Sequence, residues 1–196
     1  MTAEQPQDAS APISWLDLPA APETPEIAAV LERTRARLGY VRNGQTALLH
    51  RPGLVLAMDQ LSIAATQNAA SGLSRKEREL IALVVSIENK CQPCIFSHAA
   101  ALRAITNDPL WVAKVEANFR HAGLSERERA LVDYSLLITL DPASIEASDL
   151  DLLRDAGLSD ADILDAAAVA AYFNFSNRMN SALGVAPNTE AFLAHR

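Results

Sequence analysis

From Thr24 onward, apolar residues recur at three- and four-residue spacing almost everywhere, and no stretch alternates strictly between apolar and polar as a half-buried strand would. The pattern predicts an all-α protein folded as a helical bundle. Several helices carry marks at both ends. "TPEIAAVLERTRARLG" has Thr24 as a cap, Pro25 at the first helical position and Gly39 as terminator. "RPGLVLAMDQLSIAATQNAASG" predicts a second long helix ending near Gly72, and "DPLWVAKVEANFRHAG" another, opened by Asp108 and Pro109 and closed by Gly123. A helix from Arg75 to about Glu88 must turn back at Asn89 and Lys90 to deliver one that opens near Cys91, so this pair predicts a hairpin. The helix over 159–182 is rich in alanine and apolar around most of its circumference.

One short pattern repeats. Gly-Leu-Ser occurs at 72–74, 123–125 and 157–159, each time with an acid three residues after the serine: Glu77, Glu128 and Asp162. Each copy reads as a helix start, the serine accepting from a free amide of the first turn and the acid reaching back. The first two copies continue alike, as "GLSRKERELIALVVS" and "GLSERERALVDYSLLIT". Two explanations are open, that good capping boxes look alike or that a helical unit was duplicated. Five of the ten prolines lie in the first 25 residues. Residues 1–23 are therefore expected to form an extended arm, docked through Trp15 and Leu16, and residues 24–196 a single helical domain.

Composition narrows the function classes. A net charge of −7 with no basic cluster gives phosphate backbones and anionic lipid nothing to attract, so nucleic acid and membrane are poor partners. The longest apolar runs, starting at Ile81 and Ala166, fall far short of the roughly 20 residues that span a bilayer. The opening stretch "MTAEQPQDASAPISW" has acids and prolines where a secretion signal has a basic start and an apolar run, so a cytoplasmic location is expected. In a reducing compartment the only two cysteines, Cys91 and Cys94, are not expected to be a permanent staple.

"ENKCQPCIFSHAA" holds both. On a helix opening near Cys91, the thiols and His98 share one face, Cys94 and His98 being four residues apart. Cys91 falls at the cap and Cys94 in the first turn, where free amides and the helix dipole favour a thiolate, and Pro93 costs nothing there. Counting along the hairpin, Glu79 and His98 can face each other, and a carboxylate beside the buried stripe needs such a partner. A redox pair, half of a metal site and two buried thiols are all open on this evidence. A structural zinc would need a fourth ligand from His50, His121, His195 or a carboxylate, and His50 and His121 read better as cations at helix ends. Asn174, Asn177 and Asn180 form a polar stripe on an otherwise apolar helix, placed either to line the site or to satisfy buried backbone.

"LSRKERELIALVVSIENKCQPCIFSHAAALR" resembles the alkyl hydroperoxidase D and carboxymuconolactone decarboxylase family, in its peroxidase-related branch. That family's catalytic signature is a glutamate twelve residues before a C-x-x-C pair, with a histidine four after the second cysteine. Here those positions are Glu79, Cys91, Cys94 and His98. Fainter likeness extends through "LGYVRNGQTALLHRPGL" and "LSDADILDAAAVAAYFNFSNRMNSALGV". The resemblance implies an alkyl hydroperoxidase D-like helical bundle that assembles as a trimer or hexamer. It implies a dithiol-dependent hydroperoxide reductase that uses no metal or other cofactor and is re-reduced by a lipoylated or thioredoxin-like protein. Cys94 would attack, with His98 as its base and Glu79 orienting the ring, although in thioredoxin-like motifs the first cysteine attacks and that order is also open. Alkyl hydroperoxidase D itself has a second histidine between its cysteines, where this chain has Pro93, so a slow peroxidase is expected. Two other readings are a thiol redox sensor or zinc-stabilised oligomer, and a decarboxylase of the kind that names the family, a branch that does not use a cysteine pair.

Overall fold

Residues 12–196 are described in a computed structural model. The first eleven residues of the expected arm, and the reading of the chain's opening stretch, lie outside them. Among the described residues there are ten α-helices, two single 3-10 turns and no strand. Helix α1 (Pro25–Leu38) opens with the Thr24 hydroxyl accepting from the Ile27 amide and closes on Gly39 at φ 85°. The short α2 (Asn43–Thr46) follows, and then α3 (Pro52–Thr66). Reciprocal capping boxes start α4 (Arg75–Glu88) with Ser74 and Glu77, α7 (Glu126–Leu140) with Ser125 and Glu128, and α9 (Asp160–Ala182) with Ser159 and Asp162. Between these lie α5 (Gln92–Thr106), α6 (Pro109–Asn118) and α8 (Ala147–Asp155), and α10 (Thr189–Leu193) ends the chain.

Two helix ends differ from the sequence expectation. Helix α3 stops at Thr66 rather than near Gly72, because the Asn68 side chain accepts from the Ala70 amide and turns the backbone out of the helix. Gly72 serves a close approach instead, since a Cβ there would lie 2.4 Å from Asp162 Oδ1 in the capping box of α9. Helix α6 stops at Asn118, whose side chain accepts from the Arg120 amide and tightens residues 119–121 into a 3-10 turn before Gly123, at φ 70°.

The run Leu80 to Ser86 shows why α4 sits at the centre. All seven of its residues are at most 2% exposed. A helix apolar on every side must be surrounded, and α5, α7 and α9 surround it. Ile81, Ala82 and Val85 pack towards α7, α8 and α9, while Leu80, Leu83 and Val84 pack towards α5, α6 and α7. Helices α1 and α3 form a smaller cluster around Ile27, Val30 and Val55. The one polar member of the run, Ser86, is satisfied by donating to the Ala82 carbonyl at 2.6 Å.

The arm docks through Trp15 as expected, but with much of both expected side chains left in solvent. Trp15 is 77% exposed and Leu16 50%. The attachment is made by backbone and by Ser14: the Trp15 amide and the Ser14 hydroxyl both donate to the Leu183 carbonyl, the Ala186 amide donates to Ile13, and the indole lies across Gly184. His50 bonds the Pro19 carbonyl at 2.9 Å and pins the arm's far end. Arg103, 3% exposed on α5, donates to the carbonyls of Ala191, Phe192 and Ala194, so the negative end of α10 satisfies a buried guanidinium. No described helix is long and apolar enough to cross a membrane.

Candidate active site

The turn between α4 and α5 brings the cysteines to a helix start. The Cys91 amide donates to the Ser86 carbonyl and the Lys90 amide to that of Ile87, with Lys90 left-handed at φ 54°. This is the Schellman arrangement, completed without the usual glycine. It reverses the chain so that Cys91 becomes the N-cap of α5 and Cys94 falls in its first turn, with Pro93 where no helical amide is needed. The two sulfurs are joined in a disulfide, with Cα atoms 5.3 Å apart. Cys91 is 1% exposed and Cys94 6%.

His98 lies one turn below Cys94, and its Nδ1 is 2.8 Å from Glu79 Oε2 on α4. An ionised carboxylate can only accept, so the neutral ring carries its proton on Nδ1 and leaves Nε2 as the free acceptor. Burial pushes the Glu79 carboxyl up, but the hydrogen bond from His98, the charge of that ring when it is protonated, and the charges of Arg42 and Arg75 outweigh it and hold the carboxyl below its ordinary value. Phe173 of α9 meets the imidazole edge to face at 4.4 Å between centroids and fixes the plane of the ring. The hairpin thus pairs Glu79 with His98 and places the disulfide one helical turn from that pair.

The asparagine stripe of α9 divides between the two roles the sequence offered. Asn180 lines the site, donating from Nδ2 to Cys94 Sγ at 3.3 Å. Asn174 fastens the hairpin, accepting from Asn89 Nδ2 and donating to Thr139 Oγ1, each at 2.9 Å. Asn177 is fully buried against Ser86. Phe173, Arg42 and Arg75 were missed by sequence reasoning, because their part in the site depends on how helices meet and not on any local spacing. Among the described residues, no three His, Cys, Asp or Glu side chains gather as metal ligands.

A cleft of about 250 Å³ opens between α1, α2, α3 and α9, separated from the disulfide by Asn180. Asn180 forms part of its wall, and so does Tyr172, the neighbour of Phe173. Gly44 closes against Asn180 so tightly that a Cβ would lie 2.7 Å from Oδ1.

The model of the carboxymuconolactone decarboxylase family matches the chain twice, over residues 52–118 and 108–187. A double match is what a duplicated helical unit produces, and it favours that explanation of the Gly-Leu-Ser repeat. A crystal structure from Ralstonia eutropha JMP134, described as an alkylhydroperoxidase AhpD core and an uncharacterised peroxidase-related protein, superposes with a TM-score of 0.90 at 32% identity, covering 95% of this chain and 98% of that one. An uncharacterised peroxidase-related protein from Silicibacter sp. TM1040 gives 0.89 at 34% identity, covering 97% and 100%. The debrominase Bmp8, crystallised as a cysteine-to-alanine variant with 2,3,4-tribromopyrrole, gives 0.76 at 20% identity over 91% and 95%, a likeness of fold alone. No curated protein matches the chain.

Proposed function

The chain belongs to the carboxymuconolactone decarboxylase family, among its peroxidase-related, alkyl hydroperoxidase D-like members, and from that premise we propose that it reduces hydroperoxides with the Cys91–Cys94 dithiol. One observation carries the reading: a cysteine pair at disulfide distance whose second member stands one helical turn from a histidine held by a carboxylate at 2.8 Å. A structural pair of thiols has no use for the oriented base.

In the reduced protein His98 Nε2 takes the Cys94 proton, and Glu79 stabilises the imidazolium that results. The thiolate attacks the terminal oxygen of the hydroperoxide. The O–O bond breaks, Cys94 becomes a sulfenic acid, and the departing alkoxide takes the proton from His98 and leaves as the alcohol. Asn180 Nδ2, which donates to Cys94 Sγ, stabilises the thiolate before attack. Cys91 then displaces water from the sulfenic acid to give the disulfide. An external dithiol reopens that bond by exchange and is itself oxidised, which closes the cycle. The physiological dithiol is a lipoylated or thioredoxin-like protein. Residues 24–196 act as one domain behind the arm, in the cytoplasm, and copies assemble as a trimer or hexamer through apolar surface such as Leu164, 70% exposed on α9, and Trp15.

The test is peroxide consumption with a panel of dithiols. Turnover by the wild type and its loss in Cys94→Ser support the reading. A protein that forms its disulfide once and never turns over with any dithiol is a sensor instead.

A further inference from the structure

The cleft beyond Asn180 is positively charged in a protein that is not. Arg33, Arg37 and Arg42 line it against a single carboxylate, Asp59, in a chain of net charge −7. Asp59 is already engaged by Arg33. Neither Arg37 nor Arg42 forms a salt bridge among the described residues, although the charge of Glu79 reaches both. Arg42 is half-buried, and Arg37 is exposed at the mouth. Both guanidiniums line the same cleft, and desolvation and then the charge of Arg42 hold the Arg37 guanidinium below its ordinary value while Glu79 and Asp59 oppose them. Like charges held together cost free energy, and with Glu79 bonded to His98 and Asp59 to Arg33 an anion inside the cleft would offset that cost.

The rest of the lining has the opposite character. Leu48, Val55, Met58, Ile63 and Tyr172 offer apolar surface. The volume, about 250 Å³, is roughly that of eight water molecules in the liquid, enough for a ring with a short side chain. An anion alone would leave these walls in water, and a hydrocarbon alone would leave the guanidiniums unpaired. The cleft is not an isolated pocket either, because its wall includes Asn180, whose amide touches Cys94 Sγ.

We propose that this cleft is the substrate subsite and that it selects organic hydroperoxides carrying a carboxylate, the acid held by Arg37 and Arg42 and the carbon frame by the apolar walls. The inference rests on the peroxide-reducing reading, and it predicts which peroxides that chemistry favours. Guanidinium pairs bind carboxylates through charge-assisted hydrogen bonds, and loss of one such partner costs about 10- to 100-fold in binding.

Two measurements separate this proposal from the reading beneath it. The first involves no peroxide: calorimetric binding of para-isopropylbenzoate and of its neutral amide to the oxidised protein. The carboxylate is expected to bind at least about 10-fold more tightly than the amide, with the preference lost in Arg37→Gln and Arg42→Gln. Equal binding, or none, overturns the subsite. The second compares single-turnover thiol oxidation by cumene hydroperoxide and by its para-carboxylate. The ratio of the two rates is the readout, so any general effect of Arg42→Gln on Glu79 cancels. A ratio above unity in the wild type that collapses in both variants supports the proposal. A ratio near unity in the wild type overturns it. If re-reduction by dihydrolipoate relative to dihydrolipoamide falls in the variants while the peroxide ratio holds, the arginines serve the reductant and the proposal fails. Carboxylate binding without oxidation by either peroxide refutes the peroxidase reading and leaves an anion site standing.

Discussion

Glu79→Gln tests whether the buried carboxylate assists the chemistry or merely fills space. Its Oε2 lies 2.8 Å from His98 Nδ1, and the two side chains are 22% and 15% exposed, so solvent screens the pair only partly. When His98 takes the Cys94 proton, an ion pair appears where a neutral hydrogen bond stood. With charge centres about 4 Å apart and an effective dielectric of about 20, that pair is worth at most about 4 kcal/mol. Glutamine keeps an amide oxygen that can accept from Nδ1, so the ring's orientation survives and only the charge is lost. The oxidation step should therefore slow by about 10- to 100-fold, or about 1.4 to 2.7 kcal/mol. His98→Ala, which removes the base itself, should slow it at least as much. The assay is stopped-flow oxidation of the pre-reduced protein by excess hydrogen peroxide, quenched with an alkylating agent and read across pH. Single turnover matters because the identity of the reductant then cannot affect the rate. If Glu79→Gln and His98→Ala keep the wild-type rate and pH profile, no relay operates and the sensor reading takes its place.

Three further outcomes are expected. Gly44→Ala places a Cβ 2.7 Å from Asn180 Oδ1, so the amide must swing away from Cys94; the oxidation rate should fall several-fold with little change in the denaturation midpoint, and an unchanged rate would remove Asn180 from the mechanism. The folded state holds the Glu79 carboxyl below its ordinary value of 4.5, so the charge contributes stability in full above that pH and loses it as pH falls through the lower folded value. Urea denaturation of wild type and Glu79→Gln should thus differ most at neutral pH and converge in acid, whereas a gap that widens in acid would contradict the sign of the shift. Exposed Trp15, Leu110 and Leu164, at 77%, 66% and 70%, call for partners, so light scattering should give a multiple of the 21.1 kDa chain mass; a sharp monomer peak at every concentration would count against assembly.

Most of the fold was legible because the helices carry their own boundaries. Thr24, Ser74, Ser125 and Ser159 cap the helices the sequence assigned them, since a capping box is a contact among residues three apart and needs no tertiary information. Gly72 misled because glycine has two uses. Its requirement comes from Asp162, ninety residues away, and no local pattern distinguishes that from a helix end. The arm was legible only in part: Trp15 does anchor it, through its amide to Leu183 and its indole across Gly184, but Ser14 shares that attachment and Leu16 is half exposed. Within the candidate site, the hairpin made the distance from Glu79 to His98 countable from helical rise alone. Arg37, Arg42 and Gly44 lie on α1, the following loop and α2, and they share a cleft with Asn180 of α9 only through the tertiary fold, with no spacing to read.

In the proposed cycle Cys94 transfers two electrons to a peroxide and Cys91 resolves the product. Intact-mass measurement of the reduced chain after one equivalent of hydroperoxide addresses this directly, without any reductant. The wild type should lose two hydrogens and become resistant to alkylation at both sulfurs, while Cys91→Ser should stop at a Cys94 sulfenic acid that a dimedone-type reagent traps. If the wild type stays fully alkylatable, or if the trapped sulfenic acid forms on Cys91 in Cys94→Ser and not on Cys94 in Cys91→Ser, the proposed chemistry is wrong in its reaction or in its order of attack.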